Sequence, residues 1–181
     1  LKDLISKCAG TLGGIVLIIT LAGMLLSPVL TALFGWGWFQ AALNGDSDGI
    51  KYYAASDLLR ITFPYLFFIT MTALCSSILN VFGKFGIPAM TPCILNLTLI
   101  GAVLLFGQKF EDPNKILAYG MVAGGILQLL FQLPFIMKLK LLVKPRFSFK
   151  HPGVTKIRTL MIPAILGVSA SQLNLFISTL L

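Results

Sequence analysis

Charged side chains are scarce in this sequence: of its 181 residues, 11% are Asp, Glu, Lys or Arg, and only six are acidic. Soluble domains carry roughly 25% charged residues, and a chain this small has much surface to cover for its volume. A water-soluble globule is therefore excluded. Histidine occurs once, as His151, in a segment too basic to be a span, so it reads as a solvated loop residue. The three cysteines, Cys8, Cys75 and Cys93, lie in or beside apolar runs without C-x-x-C spacing and read as small apolar fillers. No Ser–His–Asp set, Cys–His pair or metal-ligand cluster can be assembled, and neither a cofactor nor an intramembrane enzyme is expected. Polar low-complexity tracts are missing too. The 17 glycines and nine prolines stand among apolar residues, which excludes disorder.

What is abundant is apolar length: 57% of residues are hydrophobic and the mean hydropathy is +0.93. No charge occurs between Lys7 and Asp46, Arg60 and Lys84, Lys84 and Lys109, Lys115 and Lys138, or after Arg158. A span needs about 20 predominantly apolar residues at 1.5 Å rise to cross a core of roughly 30 Å. Five spans are expected, near residues 10–33, 58–82, 88–107, 116–137 and 160–181. The fold class is all-α: a polytopic membrane helix bundle of five transmembrane helices, one bundle over 1–181 with a basic loop at 138–158. A signal peptide is a poor reading of the first window, since no small-residue cleavage site leads into a soluble domain.

The basic residues set the orientation. With residue 1 on the cytoplasmic side, the inner segments hold ten Lys/Arg and the outer loops four. Seven of the ten lie at 138–158: Lys138, Lys140, Lys144, Arg146, Lys150, Lys156 and Arg158, with no acid among them. In a soluble protein such a run would suggest nucleic acid. Between two spans it suggests topology and contact with anionic lipid headgroups, for which Lys138, Lys140, Lys144 and Arg146 are the candidates. No nucleic-acid partner is expected. The segment Phe34-Gly-Trp-Gly-Trp-Phe39 fits an aromatic belt ending the first span on the outer side.

Gly10-x-x-x-Gly14 and Gly120-x-x-x-Gly124 place small residues on one helix face and permit close helix approach. Pro64 is expected to kink or loosen the second span, while Pro88 and Pro92 mark the start of the third and Pro163 that of the fifth. Ile87-Pro-Ala and Ile162-Pro-Ala echo one another, but two tripeptides establish no repeat. Leu1 is not a methionine and Leu181 falls within an apolar run, so the sequence is expected to be a section of a longer chain.

Buried ionisable residues usually mark a pathway or relay; here Asp57 and Arg60 stand only at the outer edge of a span. The polar groups at depth are amides and hydroxyls. Asn80 and Asn96 sit toward the inner ends of their spans, and Gln128 and Gln132 are four apart on one helix face. In the fifth window Ser171, Asn174 and Ser178 fall at i, i+3 and i+7, with Gln172 beside them. Two readings stand: interhelical hydrogen bonds, or a hydrated cavity lined by the fifth helix.

Arg60-Ile-Thr-Phe-Pro-Tyr65, Ile78-Leu-Asn80, Phe85-Gly-Ile-Pro-Ala89, Pro92 and Asn96 resemble the MurJ/MviN family of lipid II flippases. The similarity continues in order through Gly124-Gly-Ile-Leu-Gln128, Gln132-Leu-Pro134, Pro145-Arg146, Pro163-Ala-Ile-Leu-Gly167 and Ser171-Gln172. It resembles the third to seventh of that family's fourteen helices, part of a MATE-like fold of the MOP superfamily. The resemblance implies export of lipid II, the undecaprenyl-pyrophosphate-linked peptidoglycan precursor, across the bacterial cytoplasmic (inner) membrane by alternating access. Membrane lipids and cell-wall synthesis proteins are the further partners it suggests. The family's charge-binding arginines would lie on helices outside this sequence. Ser171, Gln172 and Asn174 would then face the substrate cavity, with Pro64 and Pro163 permitting helix bending. The competing readings are another superfamily exporter, of O-antigen or multidrug type, and a non-transporting membrane scaffold of cell-wall synthesis.

Overall fold

The computed structural model describes residues 1–107, 112–148, 155–156, 159, 161, 163 and 165–172. Seven helices can be delimited: α1 (Lys2–Leu25), α2 (Ser27–Phe34), α3 (Trp36–Asn44), α4 (Gly49–Val81), α5 (Gly86–Ala89), α6 (Thr91–Phe106) and α7 (Pro113–Lys138). The residues described within 165–172 are also helical. Among the described residues, four stretches are long and apolar enough to cross a membrane: Lys2–Leu25, Gly49–Val81, Gly86–Phe106 and Pro113–Lys138. Of the fifth window, 160–181, only residues 161, 163 and 165–172 are described.

The helix bounds depart from the uncharged windows for local reasons. α1 begins at Lys2 because its first charges suit a helix: Asp3 pairs with Lys7 one turn on, at 2.7 Å. It stops at Leu25, not near residue 33; Leu26 leaves helical geometry and Pro28, at the second position of α2, has no N–H to continue the ladder. The segment after it, expected as a loop, is largely helical. Gly35 divides α2 from α3, and α3 closes on Gly45 in the left-handed conformation (φ 77°), which a Cβ would penalise. α4 then begins at Gly49 and runs for 33 residues, roughly 50 Å at the helical rise. It is longer than a hydrocarbon core needs. The helix continues through Pro64. α7 is started by Asp112, whose side chain accepts from the Asn114 amide at 3.0 Å, followed by Pro113 in its first turn.

Two compact units are present, one of residues 1–12 with 143–181 and one of 13–142. In the larger unit α7 packs along both α4 and α6, while α2 and α3 pack on α4. The glycines explain how α7 serves two neighbours. A Cβ on Gly120 would lie 3.0 Å from Ala102 Cβ, and one on Gly124 would lie 2.6 Å from Leu95 Cδ1, both on α6. On Gly125 it would meet Tyr65 Cδ2 at 2.8 Å and Phe68 Cβ at 3.1 Å, on α4. Gly120-x-x-x-Gly124 therefore admits a neighbouring helix, as its spacing suggests. Gly23 in α1 is likewise covered by the Phe63 ring. The aromatic segment runs from the end of α2 into α3, which packs back on α4: Trp36, Phe39, Tyr52 and Tyr53 form a chain with centroid separations of 5.5, 5.4 and 5.2 Å, and Tyr52 Oη donates to the Pro28 carbonyl at 3.2 Å.

In the smaller unit, residues 143–148 run beside the first turns of α1. The Arg146 amide donates to the Ser6 carbonyl at 3.0 Å, and the Ser148 amide donates to Thr11 Oγ1 at 3.2 Å. Ser6 Oγ donates in turn to the Lys144 carbonyl. A Cβ on Gly10 would overlap the Arg146 backbone. Gly10 thus admits an extended strap and not, as its Gly-x-x-x-Gly spacing suggests, another helix.

Candidate functional site

The most ordered polar feature is a seam where α7 meets α4 and α6. Gln128 and Gln132 are one helical turn apart and so share the buried face of α7; they are 2% and 0% exposed. Gln128 Nε2 donates to the Thr91 carbonyl at 2.9 Å, at the start of α6. Gln132 Nε2 donates to Ser76 Oγ on α4 at 2.8 Å and to Thr91 Oγ1 at 2.9 Å. One amide therefore ties three helices. Such bonds average about 0.6 kcal/mol each in membrane bundles, so the seam specifies register more than it stabilises. It is incompletely satisfied: Gln128 Oε1, Gln132 Oε1 and Thr72 Oγ1 are buried without a hydrogen-bond partner. Beside it lies a cavity of about 510 Å³, whose wall includes Tyr65, Thr72, Ala73, Pro92, Leu95 and Gln128.

The second polar feature is basic. The helix α7 ends on Lys138, whose ammonium lies 5.7 Å from the Phe135 ring centroid. Lys140 follows with φ 55°, and the Leu141 amide returns to the Ile136 carbonyl at 3.2 Å. That is the six-to-one bond of a Schellman ending, with lysine in the place where glycine is usual. Lys144 and Arg146 are exposed on the strap and line, with Lys2, a cavity of about 300 Å³. Lys138 and Lys140 are exposed as well.

The other residues singled out from sequence fare differently. Ser171 and Gln172 are exposed on the helix over 165–172, and Ser171 Oγ donates to its own Gly167 carbonyl at 3.3 Å. Asn174, Ser178 and His151 lie outside the described residues. Pro64 sits between Phe63, which covers Gly23, and Tyr65, which faces Gly125, so both its neighbours are packed. Pro163 is exposed in a helical position. Asn80 and Asn96 are exposed and take no part in the seam, whereas Gln128 and Gln132 do make interhelical bonds. Sequence reasoning missed Thr72, Ser76 and Thr91. An isolated hydroxyl carries no periodic signal, and only the position of Thr91 between Pro88 and Pro92, at a helix start, could have drawn notice.

Long apolar helices, glycine-mediated packing and amides bonded across helices define an all-α, multi-pass membrane bundle. Residues 2–181 match the family model described as Lipid II flippase MurJ. The chain is 47% identical over 180 residues to a Haemophilus influenzae protein named Probable lipid II flippase MurJ, covering 99% of this chain and 35% of that protein. With the Vibrio cholerae protein of the same name it shares 52% identity over 174 residues, covering 96% of this chain and 33% of that protein. A Burkholderia cenocepacia protein named Lipid II flippase MurJ is 37% identical over 158 residues, 85% of this chain and 31% of that protein. This chain belongs to the MurJ family. It spans about a third of the length of these curated relatives.

Proposed function

We propose that this chain is the helix-bundle part of a transporter that moves lipid II, the lipid-linked peptidoglycan precursor, across the bacterial cytoplasmic membrane by alternating access. The observation that carries the reading is the family match over residues 2–181. The packing agrees with a scaffold role: α4, α6 and α7 are held together by small residues and a hydrogen-bonded seam. Bundles held this way move as bodies, which is what alternating access requires. The protein works as a transporter and not as an enzyme. The basic segment faces the cytoplasm with residue 1, and Lys138, Lys140, Lys144 and Arg146 contact anionic headgroups. Membrane lipids and cell-wall synthesis proteins are its other partners.

Ser171, Gln172 and Asn174 line the substrate cavity, touching headgroup or water, and Pro64 and Pro163 let their helices bend. The exposure of Ser171 and Gln172 supports this. The test has two parts. Cells depleted of their own flippase and supplied with the gene encoding this chain should expose lipid II to a membrane-impermeant enzyme that cleaves it. Gln172→Cys in that protein should react with a water-soluble thiol reagent in at least one transport state. No exposure of lipid II removes the transport reading; a thiol that stays unreactive in every state removes the cavity assignment alone.

A further inference from the structure

We propose that the strap and the first turns of α1 form a pocket for a phosphomonoester lipid, one whose head is a terminal phosphate, of the phosphatidate class. The proposal rests on the reading that Lys144 and Arg146 meet anionic headgroups. It adds Lys2, a fixed geometry and the chemistry of the head.

The geometry comes from the backbone. Ser6 on α1 holds the strap at both of its cationic residues: its carbonyl accepts from the Arg146 amide at 3.0 Å, and its hydroxyl donates to the Lys144 carbonyl. Thr11 extends the contact by accepting the Ser148 amide at 3.2 Å, and the absent Cβ of Gly10 lets the Arg146 backbone lie against the helix. The side chains of Lys144 and Arg146 therefore start from pinned positions, and with Lys2 they line one cavity of about 300 Å³. A flat basic surface attracts any anion, whereas cations gathered around one cavity select by charge and shape.

The charges decide the head. Among the described residues of the wall, Lys2, Lys144 and Arg146 are cations and Asp3 is the one acid. Asp3 is matched by Lys7, 2.7 Å away, so the three cations are left for a ligand. A phosphomonoester carries roughly −1.5 to −2 at neutral pH and offers three acceptor oxygens, one for each cation. A phosphodiester or a carboxylate head brings a single charge and fewer oxygens. Arginine also presents a planar fork that matches two phosphate oxygens at once.

The position decides the source. Residues 8–25 of α1 carry no charge and extend roughly 27 Å at the helical rise, close to a hydrocarbon core of about 30 Å. Lys2 and Ser6 thus stand at the edge of that core, where headgroups lie. Phe147, next to Arg146 on the strap, is 70% exposed, as suits a ring at the boundary between headgroups and acyl chains. Ligand cavities run from about 300 to 1,000 Å³, so this one accommodates a head and leaves the chains in the bilayer. A water-soluble phosphomonoester has the same head but no chain to hold it there.

The experiment places the purified full-length protein, from the whole gene that carries this chain, in phosphatidylcholine nanodiscs. A trace of phosphatidate bearing a photoreactive diazirine near its glycerol is included, and labelled peptides are identified by mass spectrometry. Unlabelled phosphatidate, phosphatidylglycerol and water-soluble glycerol 3-phosphate then compete. The expected result is labelling around Lys2 and residues 143–148, with phosphatidate competing at about tenfold lower amount than phosphatidylglycerol, as one further charge-assisted hydrogen bond provides. Glycerol 3-phosphate should not compete at the same amount. Lys2→Gln and Arg146→Gln should each bring the ratio toward one, while Lys84→Gln, a cation outside the cavity, should leave it unchanged. Gly10→Val keeps every charge but displaces the strap, and it too should bring the ratio near one. Equal competition by the two lipids, with labelling still at the strap, overturns the phosphomonoester pocket and leaves the headgroup reading standing. No labelling at the strap overturns both. Glycerol 3-phosphate competing as well as phosphatidate overturns the lipid source, and a ratio that survives Gly10→Val overturns the pocket in favour of plain charge. Should Gly10→Val fail to fold, an unchanged ratio in Arg146→Gln has the same force.

Discussion

A single methyl group added to α7 or to α6 should change stability in opposite directions. Gly125 and Gly101 both lie inside helices, where replacing glycine by alanine relieves roughly 0.5–1 kcal/mol of backbone entropy cost. Around Gly101 nothing lies within 4 Å of the added Cβ, so Gly101→Ala should be stabilising by about that amount. At Gly125 the same Cβ would lie 2.8 Å from Tyr65 Cδ2 and 3.1 Å from Phe68 Cβ. Carbon atoms prefer about 3.5–4.0 Å, so the neighbours must retreat by roughly half an ångström or more. Tyr65 follows Pro64, and Phe68 Cβ is fixed to its backbone, so α4 itself has to shift. Overpacking of this kind typically costs about 1–3 kcal/mol. The two variants should therefore differ by about 1–3 kcal/mol, with Gly125→Ala the less stable. For a chain of this length that corresponds to roughly 2–4 °C in Tm per kcal/mol. The assay is thermal unfolding of the two purified proteins in one detergent, followed by circular dichroism. Equal midpoints for the two variants would refute the close approach of α7 to α4.

The seam should show measurable coupling: in a double-mutant cycle, Gln132→Leu with Thr91→Val should give about 0.6 kcal/mol, and not above about 1.7. Zero coupling would mean that the amide and the α6 hydroxyl do not meet. Gly10→Val should displace the strap, raising the hydrogen-exchange rates of the Arg146 and Ser148 amides by about tenfold for each 1.4 kcal/mol lost, with the amides of α7 unaffected; unchanged protection would show that the strap does not rest on Gly10. On the proposed orientation, replacing Lys138, Lys140, Lys144 and Arg146 by Gln leaves six inner against four outer basic residues. A reporter fused near residue 150 should then show mixed orientation, and an unmixed one would locate the topological signal elsewhere.

Much of this protein could be read before any coordinates. Few charges and long uncharged windows determine that the solvent is lipid, because no arrangement of these side chains covers a globule in water. In lipid the backbone must satisfy its own hydrogen bonds, and apolar runs of about 20 residues do so as helices. The glutamine pair on one face and the close-packing glycines of α7 were legible because each depends on spacing along one helix, and the family motifs because their order along the chain is itself sequence. Tertiary structure alone decided which neighbour each feature meets. Gly10 and Gly120 sit in the same motif, yet one receives an extended strap and the other a helix, since a missing Cβ specifies room and not its occupant. Thr72, Ser76 and Thr91 acquired their roles only when three helices converged. Their hydroxyls are unremarked along the chain because a hydrogen bond between helices is a property of two distant positions at once.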